Sequence, residues 1–355
     1  MPTDSLSKIS ERASASSAAP PTTLRPNRAR HEHLEQLSDI RVQVRSTPPQ
    51  TRRGVLFLLT RMASALVLTL PALIGALLAW WEQGVFDVRS MLVTVVGVWS
   101  TVAGINVLGE YIDYRYTLRP EAKYLGRSFP ISGASLITQG AFSGRAALTL
   151  SLTWIGVGIL CMLWLVYVAG WPVLFFMVLS LVLLYLSLAP PMPHHLQWGG
   201  GELCMFLSIG LLQVLNGYYV QAQTLTVLPL GVSIPLGLFA ALVTFTYTFV
   251  HRRRDWLLRK RTLAVALNER RSLNFSLSLI VLAYTALLLL VVLTLLPPWV
   301  LVGMIALPIA LNEFKHERWR HTTYEDRLSL HRSVVRAFLW TGSALALTLW
   351  LDILL

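Results

Sequence analysis

The chain is poor in charge and in cysteine. Only 14% of its 355 residues are charged, whereas a soluble domain averages roughly 25%. That shortage excludes a large water-soluble core as the main architecture. The long apolar stretches that recur along the chain make the lipid bilayer its solvent instead. The two cysteines, Cys161 and Cys204, both fall in apolar runs. They form neither a disulfide framework nor a metal site and read as small buried hydrophobes. Acids are scarce beside bases, 18 Asp and Glu against 30 Lys and Arg, for a formal net charge of +12. Such a balance suits nucleic acid, but the basic residues lie between apolar segments rather than in a polar domain, so no nucleic-acid partner is expected. Residues 1–53 lack sustained apolar periodicity and the apolar h-region of a signal peptide. Rich in Ser, Pro, Thr and Arg, they read as a disordered arm. An organelle transit peptide is the weaker reading, since Asp4, Glu11, Glu32, Glu35 and Asp39 fall within it.

What is present is a series of nine candidate spans, at about 55–81, 90–113, 146–169, 171–189, 203–221, 226–250, 275–296, 298–312 and 334–354. Most are near the ~20 residues a helix needs to cross the hydrocarbon. The eighth is short, and Pro297 and Pro298 predict a tight turn before it rather than one continuous helix. Charge alternates between the connections. The arm holds nine Lys and Arg, and the connections after spans two, six and eight hold five, eight and five; the opposite connections hold only Arg89. By the positive-inside rule the N-terminus faces the cytoplasm, and nine spans then put the C-terminus outside. The expected architecture is an all-α polytopic membrane protein: a basic cytoplasmic arm over 1–53 and a nine-helix transmembrane bundle with cytoplasmic substrate loops over 54–355. A bacterial plasma membrane is the expected location. Most of the basic residues are explained by topology and by attraction to anionic lipid; a subset is free to grip an anionic headgroup.

The second span ends NVLGEYIDY, the only acids in a long apolar run. Asn106, Glu110 and Asp113 stand at i, i+4 and i+7, which puts all three on one helix face. Ionisable groups there are costly unless paired, hydrated or metal-bound, so they are functional candidates, with a plain water-exposed acid pair as the alternative. The loop after span six begins HRRRDWLLRKRTL, where His251 and Asp255 are four apart and share a face if the helix continues. Two loops on one side of the membrane thus each combine acids with several cations. Acids suit a hard divalent ion such as Mg²⁺, and Lys or Arg neutralise phosphate oxygens. The matching ligand has a polyanionic head and a greasy tail, as an isoprenyl diphosphate does.

These stretches resemble the UbiA superfamily of membrane prenyltransferases, in particular the branch that makes menaquinone precursors. NVLGEYIDY and PISGASLITQGAFS stand where that family shows NLANDYFDH and PFSGGS…GLLS. LYLSLAPP with GGGELCMFL resembles its YSAPP and GLGEL stretch. NGYYVQAQTLT resembles GAYYVQTGSLS, TRMASALVLTLPALIG resembles the first helix with Arg61 in the place of its Arg, and HRRRDWLLRKRTLAVALNER falls on DYEADRAAGKRTLVVRLGRE. The matches run in order over nearly the whole chain beyond the arm. The resemblance implies nine helices, cytoplasmic substrate loops, a prenyl diphosphate donor and an aromatic acceptor. It also implies a pair of Mg²⁺ ions that bridge the acid motifs to the departing diphosphate.

The departures alter that picture. Gly109 replaces the family's Asn and Glu110 its first Asp; Asp113 is kept, and the Asp after the bend falls on Arg119. In the second motif Asp255 is kept, its partner becomes His251, and the preceding polar pair is Tyr247 and Thr248. His is a poor exchange for a hard oxygen ligand of Mg²⁺, and Arg repels a metal. One reading is an enzyme with a lighter metal load: Glu110, Asp113 and Asp255 hold a single Mg²⁺. In it Arg61, Arg119, Lys123, Arg252 and Lys260 bind the diphosphate, and His251 protonates it, with Asp113 and Asp255 catalytic. The alternative is a non-catalytic descendant that binds an isoprenoid lipid, a quinone or a membrane partner. A transporter finds no support in an internal repeat or paired broken helices.

Other features admit two accounts. Glu202 near the start of span five suits either the helix dipole or the site. Arg61 either snorkels to the headgroups or points inward to a phosphate or Glu110. Gln213 and Asn216 within span five are candidate hydrogen-bond donors to a ring acceptor, with Asn106, or helix-to-helix glue. Trp80, Trp81, Tyr218 and Tyr219 read as an interfacial aromatic belt. The loop holding Pro190, Pro191, Pro193, His194 and His195, and the mixed-charge stretch NEFKHERWRHTTYEDRLSLHR, read as solvated surface.

Overall fold

The computed structural model describes residues 60–117, 142–188, 199–257, 261–315 and 323–354, with the isolated positions 54, 56 and 137. The expected arm over 1–53, the greater part of the first basic loop with Arg119 and Lys123, the Pro190–His195 loop and Lys260 lie outside the described residues.

All regular structure among the described residues is helical. In chain order it comprises α1 (Met62–Val67), α2 (Leu70–Gln83), α3 (Val88–Thr117), α4 (Gly144–Ala169), α5 (Trp171–Leu188) and α6 (Gly200–Met205). A π-helical turn (Phe206–Leu212) leads into α7 (Gln213–Ala222), then come α8 (Val227–Val250), α9 (Arg252–Leu257), α10 (Leu263–Ala266) and α11 (Glu269–Val292). A 3₁₀ segment (Pro298–Ala306), α12 (Leu307–Leu311), a second 3₁₀ turn (Asn312–Lys315) and α13 (Tyr324–Leu354) complete the chain. Among the described residues seven helices are long and apolar enough to cross a membrane; two shorter apolar ones, Trp171–Ser187 and Pro298–Phe314, fall on the expected fourth and eighth spans. This is an integral membrane protein. The proline turn forms as expected: after α11, Thr294 takes a left-handed backbone (φ 57), and the Leu295 and Leu296 amides donate back to the Leu290 carbonyl.

The helix starts follow local chemistry. Asp87 caps α3 by accepting from the Arg89 and Ser90 amides, each at 3.1 Å. Ser143 caps α4, and Asn268 caps α11. The first span is broken: Arg61 adopts φ 49, ψ 46 ahead of α1, a conformation that costs a Cβ-bearing residue about 1 kcal/mol or more. In span five the α6 entry turns on Gly199 at φ 115, and the wider π-helical turn shifts the register before Gln213.

Close backbone approach holds the first and fifth spans together. A Cβ on Gly217 would lie 2.2 Å from the Ala72 carbonyl oxygen, and one on Gly75 would lie 2.2 Å from that of Val214. Lipid tails are as apolar as Leu, so intimate contact between small residues, not hydrophobicity, drives such pairs. At this end of the bundle, Tyr218 donates to Glu82 at 2.7 Å, Thr226 donates to the same carboxylate, and the Trp81 indole donates to Asp352 at 2.7 Å. Tyr218 is wholly buried, so it belongs to the core rather than to the expected aromatic belt. Trp80 stacks on Phe86 with ring centroids 4.4 Å apart. The last span also differs from expectation. α13 begins ten residues earlier than 334, and its first turns are packed: Arg327 is buried and donates to Glu269, and Leu330 is buried too.

Candidate functional site: a buried cluster of acids and guanidinium groups

The acid face of α3 turns into the bundle as its spacing predicts. Asn106, Glu110 and Asp113 are all buried, Glu110 to 1% exposure. Carboxylates carried this deep lose several kcal/mol of hydration each unless countercharges meet them. Three other elements supply the countercharges and donors.

The first is the broken start of span one. From its left-handed position Arg61 donates through Nη2 to Glu110 Oε1, and its Cζ lies 3.9 Å from the centroid of the Tyr247 ring. The Asn106 amide donates to the Thr60 carbonyl at 3.3 Å. Arg61 therefore points inward rather than only snorkelling. The second is the end of α8, where the Tyr247 hydroxyl donates to Glu110 Oε1 at 3.3 Å and its ring lies 4.6 Å from that of His251. The third is α9. Arg254, which the sequence reasoning did not single out, is 5% exposed. Its Nη2 sits 3.1 Å from Asp113 Oδ2, its Nε 3.5 Å from Asp255 Oδ1 and its Nη1 3.9 Å from Glu110 Oε2. Arg254 is thus the point on which both acid-bearing segments converge. A signal for it was present: in the pattern that resembles HRRRD, the family shows Ala where this chain has Arg254.

The chain bends at His251 (φ −95, ψ 12) between α8 and α9, yet the Asp255 amide still donates to the His251 carbonyl at 3.0 Å, so the expected shared face survives. Burial works against the Arg254 charge, but Asp113, Tyr247, Asp255 and Glu110 outweigh it and hold the guanidinium well above its ordinary pKa. For His251, burial first and then Arg254 push the pKa well below the usual imidazole range. The resting ring is neutral, so protonating a leaving group requires an anion beside it. This has a measurable consequence. Above pH ~6.5 the ring is neutral whether the protein is folded or not. As pH falls through that value the unfolded ring takes a proton that the buried ring refuses, and stability declines. Thermal midpoints should fall from pH 8 to pH 5, and His251→Gln should flatten the profile; superimposable profiles would refute the assignment.

His331 also reaches this end from α13. Its Nδ1 is 3.0 Å from Thr246 Oγ1, and its ring centroid is 5.9 Å from that of Tyr247. No pattern in the sequence announced it, because α13 starts before its apolar run does. Glu202 is buried in the first turn of α6, within electrostatic reach of Asp255. Arg252 lies apart, with Glu269 and Arg327 as its charged neighbours.

The expected acceptor set separates. Asn106 joins the cluster. Gln213 lines a narrow, largely apolar cleft between α3, α4, α5 and α7. Val98 and Val102 in that cleft lie at i−8 and i−4 from Asn106, on the helix face that leads to Glu110. Asn216 is fully buried, with neither amide atom hydrogen-bonded among the described residues.

Among the described residues no group of three His, Cys, Asp or Glu is arranged to hold an ion. The Arg254 guanidinium instead lies within 3.1–3.9 Å of oxygens of Glu110, Asp113 and Asp255, the three acids expected to hold a single Mg²⁺.

Residues 68–342 match the model of the UbiA prenyltransferase family. The chain is similar to the 1,4-dihydroxy-2-naphthoate octaprenyltransferase of Bacillus subtilis, with 22% identity covering 74% of this chain and 81% of that one. It is also similar to the enzyme of the same name from Mycobacterium tuberculosis, with 28% identity covering 68% and 78%. Among solved structures, a UbiA homolog from Archaeoglobus fulgidus bound to GPP and Mg²⁺ superposes with a TM-score of 0.54 at 11% identity, over 82% of this chain and 99% of that one. That likeness is one of fold.

Proposed function

The chain belongs to the UbiA prenyltransferase family, and from that premise we propose that it transfers an isoprenyl group from a prenyl diphosphate to an aromatic quinone-precursor acceptor. The observation that supports this most is the convergence of the α3 acids and the α9 acid on one buried guanidinium, at a single end of an apolar bundle. Two similar proteins carry a name that specifies a dihydroxynaphthoate acceptor and an octaprenyl group, so those are the first substrates to try.

In the proposed reaction the allylic C–O bond breaks, and the electron pair leaves with the diphosphate. The acceptor ring attacks the allylic carbon and then loses a proton to water. The costly event is charge building on the departing oxygens, and preorganised cations lower that cost most. Arg61 and Arg254 supply two of them in the described site; Arg252, Arg119, Lys123 and Lys260 are proposed to add to the headgroup contact. Asp113 and Asp255 position Arg254. Asn106, Gln213 and Asn216 are proposed to meet the acceptor, and the cleft beside Gln213 is proposed to take apolar chain. Because the carboxylates as arranged fit a guanidinium rather than a metal pair, no step is assigned to Mg²⁺. The two short apolar helices are proposed to complete nine spans. The cluster then faces the cytoplasm, the C-terminus lies outside, and the membrane is a bacterial plasma membrane.

The test is prenyl transfer by the purified full-length protein in lipid nanodiscs, with product read by mass. Asp113→Ala and Asp255→Ala should each lower kcat/KM by about 10²-fold or more, the scale of losing preorganised charge stabilisation. Unchanged turnover in both variants, or no product from the wild type with any aromatic acceptor, would sink the reading.

A further inference from the structure

The structural neighbour from Archaeoglobus fulgidus is described with Mg²⁺ at hand, yet the acid cluster here is organised around an arginine. Three observations bear on what that arginine does. First, Arg254 is 5% exposed and sits against carboxylates from two separate elements. Second, much of the acid charge is met without metal. Among the described residues the carboxylates of Glu110, Asp113 and Asp255 face two guanidinium groups, Arg61 and Arg254, with Glu202 a further buried acid near Asp255. A divalent cation is therefore not needed to make burial of these acids tolerable. Third, donors are left over. Nε and Nη1 of Arg254 face Asp255 and Glu110 as ion pairs at 3.5 and 3.9 Å but make no hydrogen bond among the described residues. A buried N–H without an acceptor costs about 1–3 kcal/mol, more for a charged group, so these donors favour the arrival of an anion with several oxygens. The guanidinium fork matches phosphate geometry, which an ammonium point charge does not.

We propose that Arg254 is a built-in counter-ion standing between the acid motifs, and that it lets this protein bind the diphosphate head without a divalent metal. The replacement is visible in the primary structure. Compared with the DYEAD pattern that HRRRD resembles, the two buried changes are Asp to His251 and Ala to Arg254. Together they remove one negative charge and add one positive charge, a net change of +2. The inference deepens the prenyl-transfer reading and rests on it for the identity of the ligand; the arrangement of Arg254 does not depend on turnover.

The experiment therefore reads binding rather than activity. Full-length protein in nanodiscs is titrated with inorganic pyrophosphate and with geranyl diphosphate, in chelator and in millimolar Mg²⁺, and separately with Mn²⁺ alone followed by its electron paramagnetic resonance. The wild type should bind both anions with affinities that change less than about threefold between chelator and Mg²⁺, and it should bind Mn²⁺ weakly. Arg254→Gln leaves three carboxylates with one guanidinium. It should lose at least about tenfold in anion affinity in chelator, the scale of a charge-assisted contact, recover with Mg²⁺, and bind Mn²⁺ at least about tenfold more tightly. Arg254→Lys keeps the charge but not the fork and should retain weak Mn²⁺ binding. Wild-type anion binding that disappears in chelator overturns the proposal whether or not the variants fold. So does equal Mn²⁺ affinity in wild type and a folded Arg254→Gln. Failure of the prenyl-transfer reading looks different: metal-free pyrophosphate binding with no transfer product.

Discussion

Glu110→Ala should remove prenyl transfer and destabilise the protein by about 3–5 kcal/mol, the usual cost of deleting one partner from a buried ion pair. Glu110 is the hub of the cluster. It accepts from Arg61 and from the Tyr247 hydroxyl, and Arg254 stands 3.9 Å away. Its loss leaves at least one guanidinium and one phenol facing each other in a buried site without an acceptor. Glu110→Gln keeps the volume and one acceptor oxygen but not the charge, so it should fall between the two. The discriminating measurement is a double-mutant cycle in detergent-solubilised protein. Arg61→Met combined with Glu110→Ala should be less destabilised than the two single effects summed, by more than about 0.5 kcal/mol. Strict additivity would show that the pair contributes nothing and that Arg61 merely reaches the headgroups.

The second large effect lies away from the charges. Gly217→Leu should prevent recovery of monodisperse protein, because its Cβ would meet the Ala72 carbonyl oxygen at 2.2 Å. That neighbour is backbone and cannot rotate aside, so relief requires α2 and α7 to separate. Overpacking costs typically about 1–3 kcal/mol, and a rigid backbone neighbour pushes toward or beyond the upper end. Separation would also move α1 and Arg61, which precede α2, so any folded remnant should transfer poorly. Gly156→Ala is the control. Its Cβ would have nothing within 4 Å, and its midpoint should stay within the range expected of a surface change, about 0.5 kcal/mol. Comparable damage from both substitutions would mean that the close approach does not set the cost, since both changes raise helix propensity.

Reading the chain in one dimension worked where one helix decides the matter. The spacing of Asn106, Glu110 and Asp113 placed them on a buried face, and the structure has all three there. Pro297 and Pro298 marked a turn that exists. The resemblance to UbiA enzymes was carried by stretches in chain order, and the family match extends over residues 68–342. The reading failed where a residue's environment comes from a different helix. Tyr218 looks interfacial because it ends an apolar run, but the side chain is wholly buried and its hydroxyl donates to Glu82 of α2. Arg327 and His331 look solvated because their stretch is mixed in charge, but α8 and α11 supply Thr246 and Glu269 as partners.

Arg254 is the sharpest case. It stands among Arg252 and Arg253 in a run whose composition says only that this end of the bundle is basic. Hydrophobicity, helical period and charge asymmetry are properties of a segment, and they suffice to determine a polytopic helical protein with acids at one end. Which of three adjacent arginines turns inward depends on the bend at His251 and on carboxylates contributed by α3, more than a hundred residues earlier in the chain. Only the tertiary structure brings those charges to one point, and with them the guanidinium that organises the acids.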